Sequence, residues 1–166
     1  MSDLFGQEKM LALSWKQPFG SAMLIGKVET RVWATKYRGP VLVCLSKAGY
    51  SEASARSICG DDLFVKMCQK LFSVQSSLDL YGMAIATGRL VNCREMRPED
   101  EAAAFVQYRA PWTEERTGKD GIVRKVNQRL YCHFYEDVRP IVPFPWKGCQ
   151  GWSEVPESLI QTIKYI

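Results

Sequence analysis

The stretch Gly26-Lys27-Val28-Glu29-Thr30-Arg31-Val32-Trp33-Ala34-Thr35-Lys36-Tyr37-Arg38-Gly39-Pro40 decides how the chain is read. Alternation with a period of two makes Lys27 to Trp33 a short strand, with Val28, Thr30 and Val32 on one face and Glu29, Arg31 and Trp33 on the other. The β-branched face is what a core accepts. The opposite face gathers a carboxylate, a guanidinium and an indole, so it meets water or lines a cleft.

Upstream, Met10 to Trp15 alternates as a first strand. Pro18 and Gly26 then bracket an apolar segment, Ser21 to Ile25, as the opening and closing punctuation of a short helix. Gly26 lets the chain turn sharply into the motif, which leaves open the direction of Lys27 at the junction. Downstream, Val41 to Ser46 is apolar throughout, as expected of a strand buried on both faces at the centre of a sheet. Residues 51 to 76 take helical spacing in two pieces broken at Gly60, with Asp61 or Asp62 as the N-cap of the second and Leu63, Val65, Met67, Cys68 and Leu71 as its apolar positions.

Tyr81 to Arg94 reads as a long strand in which Gly82 and Gly88 mark bends. Pro98 to Phe105 opens with proline and acids, the start of a short helix. Residues 107 to 129 form a basic excursion with Tyr108 and Trp112 and a Gly118-Lys119-Asp120-Gly121 turn able to close a hairpin. Basic residues interleaved with aromatics suit single-stranded nucleic acid, although Glu114, Glu115 and Asp120 offset half of that charge and also fit a solvated loop. Leu130 to Tyr135 is a further strand, in which His133 is expected to be a structural neighbour rather than a catalyst. Asp137 to Gly151 is proline-rich and reads as irregular, Trp152 to Pro156 resumes the sheet, and Glu157 to Ile163 makes a last helical turn.

The 166 residues suit one domain over 1–166, with 1–9 a loose N-terminus. Apolar residues at 46% and charged residues at 24% are those of a globular protein rather than a disordered one. The net charge is +4, and residues 1–50 hold seven Lys or Arg against three acids, a local excess that favours an anionic ligand. Six scattered cysteines without a C-x-x-C pair, and a single histidine, argue against a zinc site. No metal or cofactor is expected. The thiols read as reduced, in a soluble, cytoplasmic protein without a leader or a membrane span, with Cys44 and Cys132 as buried small hydrophobes. The oligomeric state is left open. The order of elements predicts an α+β fold: one mixed, strongly curved sheet, a small barrel, flanked by helices.

Gln17-Pro18-Phe19, the opening motif, Gly82 to Cys93, Asp137-Val138-Arg139-Pro140-Ile141 and Pro143 to Trp152 follow one another as in the ASCH domain of the PUA-like superfamily, which the chain resembles over most of its length. The resemblance implies a PUA-like β-barrel flanked by helices, with a cleft beside the Lys/Glu/Arg motif and RNA or a nucleotide as partner. Two departures stand out. The family pattern Gly-x-Lys-x-x-Glu-x-Arg is shortened by two residues here, although Glu29 and Arg31 keep their spacing. In small relatives that hydrolyse N4-acetylcytidine, a catalytic threonine stands where this chain has Glu29.

The expected ligand-binding set is Lys27, Glu29, Arg31, Trp33, Tyr37, Arg38, Trp146 and Lys147. Arg31 would fork onto phosphate, Glu29 would accept from an exocyclic amino group, and Trp33 or Trp146 would stack on a base, while Tyr37 and Arg38 extend the rim. A hydrolase, either a nucleoside amidohydrolase or a ribonuclease, would use Lys27 and Glu29 as catalytic residues. A protein-interaction adaptor is the third alternative. From the residue pattern alone a surface Glu29–Arg31 ion pair, worth about 1 kcal/mol or less, is the favoured reading, and it is the family resemblance that favours a functional cleft.

Overall fold

The computed structural model describes residues 8–166; of the expected loose N-terminus, residues 1–7 lie outside that range. Eight strands and five α-helices follow in the order β1 (Leu11–Trp15), α1 (Phe19–Ala22), β2 (Glu29–Arg31), β3 (Gly39–Leu45), α2 (Glu52–Cys59), α3 (Asp61–Leu71), β4 (Met83–Glu95), α4 (Glu101–Ala104), β5 (Trp112–Thr117), β6 (Val123–Gln128), β7 (Tyr131–Pro145), β8 (Ser153–Glu154) and α5 (Glu157–Ile160). Six strands form one sheet in the order β2-β7-β4-β3-β1-β8, and β5 and β6 form a separate hairpin. β1 and β3 run parallel while the other pairings are antiparallel, so the sheet is mixed and the arrangement α+β.

Curvature comes from the two longest strands. β4 and β7 pair along most of their length, but their register slips at Ala84/Ala86, at Thr87/Arg89 across Gly88, and at Leu90/Asn92. Each slip adds twist and bends the strands, which curls the sheet into a half-barrel. Gly88 has a packing reason as well, since a Cβ there would stand 3.1 Å from the Val138 side chain. Of the proline-rich segment expected to be irregular, residues 146–151 are so, whereas 137–145 form the second half of β7: ladder pairing through Arg139, Pro140, Phe144 and Pro145 overrides the weak strand propensity of proline.

Alternation along β1 and β3 sorts their side chains onto two cores. Leu13, Trp15, Val41, Val43 and Leu45 pack against Ala55 and Cys59 of α2 and Phe64, Met67 and Leu71 of α3. Ala12, Leu42 and Cys44 face the other way, with Ile141, Val155 and the half-buried Leu159 and Ile160 of α5. Both faces of β3 are thus covered, which is why its sequence is apolar without interruption. A third core of Met96, Ala104, Val106 and Cys132 underlies Val28 and Leu130.

Gly60, in a positive-φ conformation at 79°, breaks the helical stretch and caps α3; Asp61 and Asp62, the two residues expected as the cap, both lie inside its first turn. Phe64 takes the buried position, while Val65 is 45% exposed, because α3 presents Phe64, Met67 and Leu71 at i, i+3 and i+7. No helix among the described residues is long and apolar enough to cross a membrane.

Candidate functional site

The strand order places β2 at one edge of the sheet and β8, beside β1, at the other. β8 is only two residues long and pairs with Leu11 and Ala12, which leaves the second half of β1 without a strand on that side. Curling brings this free half opposite β2. Arg31 closes the seam: its Nη2 donates to the main-chain carbonyl of Ser14 at 2.9 Å. The ends of the half-barrel are thus joined by a side chain rather than by a strand ladder, and a cleft of about 530 Å³ opens along the join. Its walls include Leu13 to Lys16 from β1 and beyond, Phe19, Lys27, Glu29 to Trp33, Tyr50 and the 149–151 loop. That volume is within the range of small-molecule sites.

How the motif enters this cleft follows from the turn. Gly26 adopts φ 85°, in the left-handed region that favours glycine, and ends the 3-10 turn Met23–Ile25 that continues α1. Lys27 N then bonds back to the Ala22 carbonyl, and Val28 N bonds to that of Ala103. Only Glu29–Arg31 is ladder-paired, opposite Tyr131 to His133 of β7. The strand is therefore shorter than alternation predicts, and Lys27 is turned inward. Its face assignment is also inverted in part: Val32, expected in the core, is 45% exposed, whereas Glu29 is 6% exposed.

Lys27 is 4% exposed, and its Nζ donates to Glu29 Oε2 at 3.1 Å and to the Val28 carbonyl at 3.0 Å. Arg31 Nε lies 2.9 Å from Glu29 Oε1 as an ion pair, although its N–H is not aligned for a hydrogen bond. Burial pushes the Glu29 carboxyl up, but Lys27 first and then Arg31 overturn that penalty and leave it below its ordinary value. The carboxylate is charged, and two cations against one anion leave the cleft wall with a net positive charge. This is a buried triad rather than a surface pair, so removing one member strands the others.

Aromatic rings frame the triad. The Arg31 guanidinium carbon lies 5.2 Å from the Trp15 ring centroid and 6.0 Å from that of Trp33, and Lys27 Nζ lies 5.4 Å from that of Phe19. Trp15 is 2% exposed, and its buried indole N–H faces the Glu29 carboxylate and helps to hold it ionised. Behind Glu29, its cross-strand partner His133 is fully buried. His133 Nε2 lies 2.9 Å from the Trp33 carbonyl and donates to it, since a carbonyl can only accept, which leaves Nδ1 as the unprotonated nitrogen. Burial holds the ring below its ordinary pKa, so it is neutral, and its ring packs edge-on to Trp33 at 4.9 Å. His133 positions the Trp33 segment, the structural role expected of it.

Of the expected ligand-binding residues, the structure brings Lys27, Glu29, Arg31 and Trp33 together. The other four stand apart from the cleft. The Tyr37 hydroxyl lies 2.8 Å from the Lys9 carbonyl and 2.7 Å from that of Pro40, donating to one of them, and pins the turn that precedes β3. Arg38 folds back onto the carbonyls of Thr35 and Tyr37. Trp146 packs with the core that holds Ala12 and Leu42, on the sheet face turned from the cleft, and Lys147 is exposed beside it. Trp15, Phe19, Tyr50 and the 149–151 loop are wall residues that motif reading misses. Trp15 alone had a signal, since it shares a face with Leu13 in the alternating run before Gln17-Pro18. Gln17 itself is structural: its side-chain amide donates to Ser21 Oγ and to the Ser77 carbonyl, both at 2.8 Å, and so anchors α1.

All six cysteines are free, and burial pushes the Cys132 thiol up to about 12 and that of Cys59 to about 11. Among the described residues, no group of three or more His, Cys, Asp or Glu side chains is placed to hold a metal ion.

Fold and site together define an α+β protein with a curved, seam-closed sheet and a buried Lys-Glu-Arg triad in the seam. The chain matches no protein-family model and no curated protein sequence.

Proposed function

We propose that the chain is an ASCH-type, PUA-like domain that binds RNA or a nucleotide, with one base held in the seam cleft. One observation carries this reading: the Lys27-Glu29-Arg31 triad, with Trp33 and Tyr50, lines a cleft of about 530 Å³. A planar guest that presents a carbonyl next to an N–H matches that wall. Its carbonyl accepts from the Arg31 guanidinium, the more exposed member of the triad, and its N–H donates to a free lone pair of Glu29. Trp33 and Tyr50 offer stacking surface, and Lys16 at the rim adds positive charge for a phosphate. Uracil and guanine, which carry a carbonyl next to a ring N–H, meet these terms better than cytosine or adenine does.

Hydrolysis draws less support. A general base works best with a pKa near the working pH, and Glu29 is held the other way by its two cations. A nucleophile is also missing where the acetylcytidine-type relatives carry their threonine.

Titration of the four ribonucleoside monophosphates, followed by tryptophan fluorescence at low salt, tests the reading. Uridine and guanosine monophosphates are expected to bind more tightly than cytidine and adenosine monophosphates. Arg31→Ala is expected to weaken binding at least about tenfold, the loss of one charged contact. Arg38→Ala, outside the cleft, leaves it unchanged. No binding, or equal effects of the two substitutions, would reject the proposal.

A further inference from the structure

The β5–β6 hairpin stands apart from the main sheet, its strands pairing only with each other from Trp112↔Gln128 to Thr117↔Val123. It springs from the cleft. Val106 and Leu130, the residues that flank the 107–129 excursion, both line the cleft wall. Six residues of strand give the arm a reach of about 20 Å from its base.

Its charge separates it from the rest of the molecule. Residues 107–129 contain six Lys or Arg and three acids, a net of +3, whereas the chain as a whole carries +4, so everything else contributes +1. Arg116 pairs with Glu114, Arg124 with Asp120, and Arg129 with Glu95 of β4. Arg109, Lys119 and Lys125 have no ion pair among the described residues. The Arg109 guanidinium carbon lies 3.7 Å from the Trp112 ring centroid at the foot of the arm, which places a cation and an aromatic face together as single-strand binding surfaces do.

We infer that this arm is a second contact surface for single-stranded nucleic acid: one base occupies the seam cleft, and the phosphates that follow it run along residues 107–129. The inference rests on the nucleobase reading of the cleft. Two features select a polynucleotide over another copy of this chain. The unpaired cations call for a repeating anion, which a polynucleotide presents at every residue. The arm's origin at the cleft rim also lets one continuous ligand touch both surfaces.

The test compares a ribonucleoside monophosphate with a single-stranded RNA of about ten nucleotides, a length within the range single-strand binding sites span. Affinities are measured for the full chain between about 50 and 300 mM salt, the range over which counterion release is read. The oligonucleotide is expected to bind at least about tenfold more tightly than the monophosphate. Lys119→Ser/Lys125→Ser is expected to lower its salt slope by about 1.4, two phosphate contacts at about 0.7 each, and to leave monophosphate binding unchanged. Lys66→Ser/Lys164→Ser, an equal loss of charge elsewhere, should keep the slope, and matching thermal melts confirm that the variants fold. Equal affinity for the two ligands, or an unaltered slope in the arm variant, overturns the arm while leaving the cleft reading intact. Loss of self-association in the arm variant with RNA binding intact would assign the arm to a second copy instead and overturn the inference. Failure of both ligands to bind removes the cleft reading and the arm together.

Discussion

Arg31 Nη2 donates to the Ser14 carbonyl at 2.9 Å, from the strand at one edge of the sheet to a strand beside the other. The same side chain pairs with Glu29 and lies between the rings of Trp15 and Trp33. It is at once the clasp of the half-barrel and part of the cleft wall. Stability and ligand binding therefore meet in one residue.

Arg31→Ala is predicted to cost about 1.5–3 kcal/mol in urea unfolding, the value of a hydrogen bond to a charged group. Arg31→Lys should recover only part of this, because one ammonium cannot serve Glu29 and Ser14 with the fork geometry of a guanidinium. An unchanged unfolding midpoint in Arg31→Ala would mean that the seam is held by something else.

Glu29 is predicted to make stability acid-sensitive. Its folded carboxyl lies below the ordinary 4.5, so its contribution is fully present above about that pH and is lost as pH falls through the folded value. Glu29→Gln should flatten the stability profile below pH 4.5. Near neutrality the same change should cost about 3 kcal/mol or more, since it leaves two buried cations without their anion. Equal acid profiles for the two proteins would contradict the buried triad.

The chain's single histidine makes its own titration readable without assignment. The proton NMR signal of the His133 ring is predicted to titrate below the ordinary 6.5, because burial disfavours the imidazolium. For a base depressed in the folded state, the stabilising effect is complete above the unfolded value and declines as pH falls below it. A midpoint at or above 6.5 would show that the ring is not packed behind Glu29 as described.

Cys149 and Cys68 are both exposed free thiols, but only Cys149 lines the cleft. A bound nucleotide is predicted to slow alkylation of Cys149 severalfold and to leave Cys68 unaffected, as peptide mass spectrometry would resolve. Equal protection, or none, would place the ligand elsewhere.

Much of the fold was legible because its signals are local. The apolar run through Val41-Leu42-Val43-Cys44-Leu45, the punctuation at Pro18, Gly26 and Gly60, and the turn at Gly118 to Gly121 each map onto an element or its end. What escaped depends on distant pairing. Pro140, Pro143 and Pro145 argue for a loop by propensity, yet β4 recruits the segment into β7. The site divides in the same way. Lys27, Glu29, Arg31 and Trp33 are neighbours in sequence and in space. Trp15, Tyr50 and the 149–151 loop join them only when the sheet curls, and Trp146 and Arg38, placed near the site by motif or by charge, are carried off by the same curvature.

The chain's five tryptophans give five indole N–H signals, and their response to ligand is the most direct measurement of the central claim. In a nitrogen–proton NMR titration with uridine monophosphate, the Trp15 signal, assigned by Trp15→Phe, is predicted to shift most, because its N–H faces the Glu29 carboxylate that the guest engages. Trp33 should follow, and Trp146, on the far face of the sheet, should stay in place. Saturation that moves Trp146 or Trp112 while Trp15 and Trp33 remain still would contradict the assignment of the seam as the binding site.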